Sequence, residues 1–247
     1  MILAAGLGTR LRPLTSDRPK ALVTVAGRTL LEIALIRLRA IGVRHVVVNA
    51  HHFAQMIVDY LNANQNFGLT IQVSIEEELL DTGGGLKHAA PWLVDSSADS
   101  NDPILVHNVD VISTIDLARM LQVHSQHAAL ATLAVQQRAT SRYLLFDEHG
   151  HLCGRRTGTE ADPQLVRPAA QAQSLAFCGV HVIAPRLVAK MQEQGAFSII
   201  DAYLRLAAEE EPIVAFRADD YYWRDLGRPE SVAQATRDLA EGKFSIV

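Results

Sequence analysis

The chain reads as an α/β domain, and three observations carry that expectation. Short apolar runs at 2–5, 45–49 and 103–107 have the length of buried strands. Segments between them carry apolar residues at helical spacing. No linker, internal repeat or low-complexity tract divides the 247 residues, so one continuous core is expected.

The elements follow in order. The run at 2–5 ends at Gly6. Residues 29–41 put Leu30, Ile33, Ala34, Leu38 and Ile41 on one helical face, with Gly42 as the stop. The strand at 45–49 precedes a helix at 53–62 carrying Phe53, Met56, Ile57, Tyr60 and Leu61. Residues 69–75 alternate as a strand does, and 103–107 is a buried strand. Ser113 or Thr114 is the expected cap of a helix at 115–123. Strands separated by helices predict βαβ units and a mostly parallel sheet.

Beyond residue 128 the pattern changes. Strand-like runs at 129–135, 141–147, 175–183 and 213–216 have fewer helices between them, which predicts mixed or antiparallel pairing. Residues 148–173 are polar with Gly and Pro and read as a long loop-like insertion.

Composition excludes several classes. At 49% hydrophobic and 20% charged residues, a disordered chain is ruled out. A net charge of −4 argues against a nucleic-acid binder. No run approaches the ~20 apolar residues of a membrane span, and the N-terminus lacks a signal-peptide pattern. A cytoplasmic protein is expected. Cys153 and Cys178 have neither CxxC nor zinc spacing and are expected to be reduced and inert. His51-His52 fits a polar strand end, Glu76-Glu77-Glu78 a solvated edge, and Arg155-Arg156 either water or an anionic ligand.

The most informative stretch is Ala5-Gly6-Leu7-Gly8-Thr9-Arg10, directly after a strand. Glycines let backbone approach a ligand, and successive N–H groups make an anion-binding concavity. Arg10 adds a fork suited to phosphate, and Lys20 can return to the same place after Pro19. A dinucleotide fingerprint needs Gly or Ala where Leu11 stands, which also excludes a nicotinamide oxidoreductase. A P-loop needs Gly-Lys at the same place.

The run Leu3-Ala4-Ala5-Gly6-Leu7-Gly8-Thr9-Arg10-Leu11-Arg12-Pro13-Leu14-Thr15, then Pro19-Lys20 and Val25-Ala26-Gly27, resembles the N-terminal signature of the sugar-phosphate nucleotidyltransferases. Thr29 stands where that family often has Pro. The resemblance implies a Rossmann-like sheet flanked by helices. It divides the chain into a nucleotide-binding part, 1–128, and a sugar-phosphate-binding part, 129–247. It also implies nucleotidyl transfer from an NTP to a sugar 1-phosphate, with Mg²⁺ as cofactor.

Three further motifs match. Asp81-Thr82-Gly83-Gly84-Gly85 is by itself either a flexible turn or a helix start. In the family such a loop lies against base and ribose, which implies nucleotide contacts from Thr82 and Gly83. Asn108-Val109-Asp110 ends an apolar run and matches an element that carries a metal-binding Asp; Val109 replaces the usual Gly or Ser. Trp223-Arg224-Asp225-Leu226-Gly227-Arg228-Pro229 matches W-x-D-x-G-x-P, which supplies the second metal carboxylate.

The implied site therefore has Arg10, Lys20 and Asp110 as catalytic residues. Residues 5–10, Lys20, Thr82 and Gly83 bind nucleotide. Asn108 binds the sugar phosphate together with Gly179 of Phe177-Cys178-Gly179-Val180, and Asp110 and Asp225 hold the metal. A non-catalytic regulatory relative would be expected to lose some of Arg10, Lys20, Asp110 and Asp225, and all four are present. Within the family the chain is similar to muramic-acid 1-phosphate uridylyltransferases and to mannose or heptose 1-phosphate guanylyltransferases. UTP is the expected donor and cell-envelope sugar synthesis the expected setting. With no hexapeptide repeat up to Val247, a stand-alone nucleotidyltransferase without an acetyltransferase domain is expected.

Overall fold

The computed structural model describes residues 1–94, 102–158 and 162–246. Strand β1 (Ile2–Leu3) is followed by a small hairpin, β2 (Thr24–Val25) and β3 (Arg28–Thr29), and by α1 (Leu30–Ala40). Thr29 caps α1 by accepting from the Glu32 amide at 3.0 Å. Next come β4 (His45–Ala50), α2 (Ala54–Ala63), β5 (Thr70–Ile75), α3 (Asp81–Leu93), β6 (Ile104–Asn108), β7 (Val111–Ser113) and α4 (Leu117–Gln126). The second half comprises β8 (Ala131–Gln136), β9 (Arg142–Phe146), β10 (Leu152–Thr157), β11 (Gln164–Leu165) and β12 (Gln173–Ile183). It closes with α5 (Arg186–Lys190), α6 (Ile199–Ala208), β13 (Ile213–Arg217), β14 (Trp223–Asp225) and α7 (Pro229–Ala240).

The central sheet runs β11-β10-β9-β12-β6-β1-β4-β5, with β8 and β13 branching from β12. Strands β6, β1, β4 and β5 are parallel, as βαβ connections require. Around β12 the pairing is antiparallel, to β6, β8 and β9. The mixed sheet flanked by helices is thus the expected fold class.

Alternation along the strands feeds two apolar layers. On β4, Val46, Val48 and Ala50 join one layer with α1, α2, α4 and α7, while Val47 joins the other with α3, α5 and α6. Among the described residues, no helix is long and apolar enough to cross a membrane.

Three local expectations are corrected. Residues 148–173 are not one loop: β10 pairs with β9 and with β11, and residues 159–161 lie outside the described residues. Leu152 and Cys153 are buried there, and a Cβ on Gly154 would stand 2.4 Å from the Gln164 carbonyl oxygen, so its lack of a side chain lets β11 approach. Helix α4 is capped by Asp116, which accepts from the Arg119 amide at 2.8 Å, because Ser113 belongs to β7. Glu76 is buried rather than solvated, while Glu77 and Glu78 are exposed. Of the two readings of the glycines after Thr82, the helix start holds, because they lie in the first turns of α3.

Candidate active site

Strand β1 stops at Leu3, which is in register with Asn49 of β4 and Asn108 of β6. The Ala4 amide donates to the Asn49 side chain at 2.6 Å, and the Val109 amide to the Leu3 carbonyl at 3.0 Å. These anchors lead residues 4–10 across the C-terminal ends of the parallel strands, where open α/β sheets take ligands.

Ala5 is buried, while Gly6, Leu7, Thr9 and Arg10 are exposed. A Cβ on Gly6 would meet nothing within 4 Å. Gly8 has φ +64°, and a Cβ there would lie 3.0 Å from the Thr15 methyl. Its carbonyl accepts from the Thr15 hydroxyl at 2.8 Å and from the Leu11 amide at 2.9 Å. The chain therefore folds back on itself and brings Lys20 to the loop. The Lys20 ammonium donates to the Asp110 carboxylate, and both side chains are mostly buried.

The backbones of the two aspartates, far apart in sequence, are joined through a small ladder. Strand β14 pairs with β7, with Asp225 opposite Val111, and the Leu226 amide donates to the Asp110 carbonyl at 2.8 Å. Asp225 Oδ1 accepts from the Gly227 amide at 2.8 Å. A Cβ on Gly227 would stand 3.0 Å from Arg10 Nη2, so the guanidinium lies over Gly227 beside Asp225. Arg10, Lys20, Asp110 and Asp225 thus gather at one sheet edge.

Asn108 and Gly179 are also neighbours. Gly179 has φ +71° within an irregular stretch of β12, and a Cβ there would be 2.7 Å from Asn108 Nδ2. The Trp223 indole N–H donates to the Cys178 carbonyl at 2.8 Å, which ties β14 to the same strand.

Thr82 and Gly83 turn elsewhere. The Thr82 hydroxyl accepts from the Ile199 amide at 3.0 Å, and the Gly83 amide donates to the Phe197 carbonyl at 2.9 Å. Their polar groups are spent on holding α3 to the start of α6.

Sequence reasoning missed Asn49 and Glu76. The buried Asn49 amide donates to Glu76 Oε1 at 2.6 Å, and Glu76 Oε2 accepts from the Leu80 amide at 3.1 Å. This pair ties the loop at 4–10 to the start of α3. The available signal was a polar residue ending the valine run of β4.

Burial decides several titrating groups. It holds His107, one residue before Asn108, down to about 3, with the Arg37 charge adding to the effect. It holds His181 of β12 at about 3 as well, so both rings are neutral. Burial also pushes the Cys153 thiol up to about 11 and Cys178 to about 12, which removes both as nucleophiles.

Among the described residues no three His, Cys, Asp or Glu side chains cluster as a protein-only metal cage. Asp110 and Asp225 still fit Mg²⁺, which needs only one or two carboxylates when phosphates and water complete its shell.

A family model described as nucleotidyl transferase matches residues 1–242. The chain belongs to that family. This nucleotidyltransferase is 35% identical over 252 residues to the N-acetylmuramate alpha-1-phosphate uridylyltransferase of Caulobacter vibrioides, covering 98% of the chain and 96% of that protein. It is 30% identical over 246 residues to the mannose-1-phosphate guanylyltransferase of Mycobacterium tuberculosis, covering 98% of the chain and 64% of that protein. The solved UDP-glucose pyrophosphorylase in complex with UDP-glucose shares the fold, with TM-score 0.77, 18% identity and 97% of each chain covered. The nucleotidyltransferase is thus an enzyme of the class its N-terminal loop predicts.

Proposed function

We propose that this enzyme transfers a uridylyl group from UTP to a sugar 1-phosphate, releasing pyrophosphate and a UDP-sugar. The gathering of Arg10, Lys20, Asp110 and Asp225 around the loop at 4–10 carries the reading. The uridylyltransferase relative, matched over nearly the whole of both chains, supports the choice of UTP. Guanylyl transfer to mannose or heptose 1-phosphate is the second reading, and the guanylyltransferase relative supports it.

The chemistry is an in-line displacement. An oxygen of the sugar phosphate attacks the α-phosphorus and forms a new O–P bond. The bond from that phosphorus to the α,β-bridging oxygen breaks, and its electron pair leaves with pyrophosphate. No covalent enzyme intermediate is required, so the protein's work is positioning and charge stabilisation. Backbone amides across Ala5, Gly6, Leu7, Gly8 and Thr9, with Arg10, cradle the β- and γ-phosphates. Lys20 moves from Asp110 to the α-phosphate as charge builds there. Asn108 and Gly179 receive the sugar phosphate. Asp110 and Asp225 would hold Mg²⁺, which when bound neutralises the charge between the two phosphate groups. In this reading residues 1–128 serve the nucleotide and 129–247 the sugar. The reaction runs in the cytoplasm and its product feeds cell-envelope synthesis.

The test is pyrophosphate release with Mg²⁺, each of the four NTPs, and a set of sugar 1-phosphates. Release that needs both substrates and favours UTP is expected. Preference for GTP selects the second reading. NTP binding without release from any pair overturns catalysis, and absence of NTP binding overturns the role given to the loop at 4–10.

A further inference from the structure

We infer that Arg138 is a positioning residue for Asp225, an inference that rests on the metal role proposed for that carboxylate. Three consecutive residues at the end of β8 grip the segment that leads into β14. The Gln136 side-chain amide donates to the Ala218 carbonyl at 2.7 Å and to the Tyr221 carbonyl at 3.0 Å. The Gln137 backbone amide donates to Asp219 Oδ1 at 2.6 Å. The Arg138 guanidinium lies 3.7 Å from the centre of the Trp223 ring. Residues two apart on a strand share a face, so Trp223 and Asp225 stand on the same side of β14.

The stack is also fastened to β12. The register of β12 against β8 shifts between Phe177 and His181, and Gly179 lies in that stretch with φ +71°. Two successive carbonyls there are taken by the two halves of the stack. Arg138 Nη2 donates to the Phe177 carbonyl at 2.8 Å, and Trp223 Nε1 to the Cys178 carbonyl at 2.8 Å. Gly179, against Asn108, is the next residue. Among the described residues no ladder joins β14 to β12, because β14 pairs with β7 in a separate two-stranded sheet. These side chains therefore set where Asp225 stands relative to the Asn108–Gly179 contact.

A guanidinium is costly in this place. Burial disfavours its charge, and its Nε is buried without a hydrogen-bond partner. The charge of Asp225 acts the other way and favours the cation. A planar cation can stack on the indole face while its edge donates to a carbonyl, which an ammonium cannot do.

The test separates the metal from the rest of the site. Binding of UTP, or of GTP where the release assay selects it, is measured by titration calorimetry with Mn²⁺ and without metal. In the parent Mn²⁺ should tighten binding, and Asp225→Asn should remove most of that gain. Arg138→Gln should cut the ratio of the two affinities by about tenfold, the low end for a group that orients a metal ligand. Its metal-free affinity should match the parent's. It should also raise the Mg²⁺ concentration for half-maximal pyrophosphate release, with excess Mg²⁺ recovering part of kcat. Arg138→Lys keeps the charge without the planar stack and should resemble Arg138→Gln. Trp223→Phe keeps a ring without the N–H donor and should show a smaller loss of the same sign.

An unchanged ratio in both Arg138 variants overturns the inference. So does parental behaviour of Arg138→Lys, which leaves charge alone at work. A loss confined to the KM of the sugar 1-phosphate overturns it too, by making Arg138 a substrate contact. If Arg138→Gln proves unfolded by circular dichroism, Trp223→Phe decides on the same ratio. A parental ratio in Asp225→Asn, with pyrophosphate still released by the parent, removes the metal role of Asp225 and this inference but leaves the reaction standing. No release by the parent from any pair overturns the reaction and this inference together.

Discussion

Two glycine clusters of similar composition do opposite work in this protein. Around Gly6 and Gly8 the chain is open: a Cβ on Gly6 meets nothing, and the neighbouring Leu7, Thr9 and Arg10 are exposed. Around Gly83, Gly84 and Gly85 it is closed. Cβ atoms there would stand 2.3 Å from the Phe197 ring, 2.4 Å from the Gly195 carbonyl oxygen and 2.6 Å from Glu76 Oε1. The second holds backbone at close quarters with the rest of the chain, while the first leaves the room that the proposed phosphate contacts need. A glycine run announces close approach without saying to what.

The largest effect expected from this contrast falls on the open cluster's partners. Lys20→Ala and Asp110→Ala should each lower kcat/KM for pyrophosphate release by ~10²–10³-fold, the usual loss for one preorganised contact. Their circular dichroism should match that of the parent. Near-parental turnover in either variant removes the lysine–carboxylate pair from the mechanism.

Next comes the closed cluster. Gly84→Ala pushes a methyl into backbone that cannot swing aside, so stability in urea should fall by about 1–3 kcal/mol, as overpacking does. A variant as stable as the parent breaks the comparison at its packed end.

A third effect follows β6, where open and closed environments are one residue apart. Asn108 faces the site, while His107 is buried and held neutral. Its folded pKa of about 3 lies below the unfolded ~6.5, so the unfolded chain binds the proton more readily. The stability that neutral His107 and His181 provide is full above pH ~6.5. It is lost as pH falls toward 3, by at most about 1.4 kcal/mol per pH unit for each ring. Urea midpoints measured from pH 8 to 4 check this. A flat profile means that these rings are protonated without cost.

The smallest effect is Gly6→Ala. Its Cβ enters open space, so stability should change by less than about 0.5 kcal/mol. The KM for the nucleotide should still rise on the order of tenfold, since the methyl faces the approach of the phosphates. An unchanged KM means that the phosphates lie elsewhere.

Much of the site was legible because it is local. Gly6 through Lys20 form one short segment, and its turn geometry depends on neighbours such as Thr15 within the same segment. Asp110 and Asp225 were legible as types at strand ends, yet the joining of their backbones depends on β14 pairing with β7. Thr82 was read toward the nucleotide because nothing in its own stretch reveals Ile199, which its hydroxyl engages. Glu76 looked solvated beside two other glutamates because the buried Asn49 amide that claims it lies on another strand. The stretch at 148–173 looked like a loop because β10 and β11 pair through long-range contacts rather than through strong alternation.

Local pattern and motif were enough for the α/β class, the parallel first half and the nucleotidyltransferase family. These rest on periodicity and on residue types within single turns or strands, where backbone sterics and hydrogen bonding act over a few residues. Only folding set which glycines stay open and which are packed, which glutamate is buried, and that β14 joins Asp225 to the strand after Asp110. Those outcomes depend on which surfaces the folded sheet brings into contact, and burial and pairing are properties of that contact rather than of any segment alone.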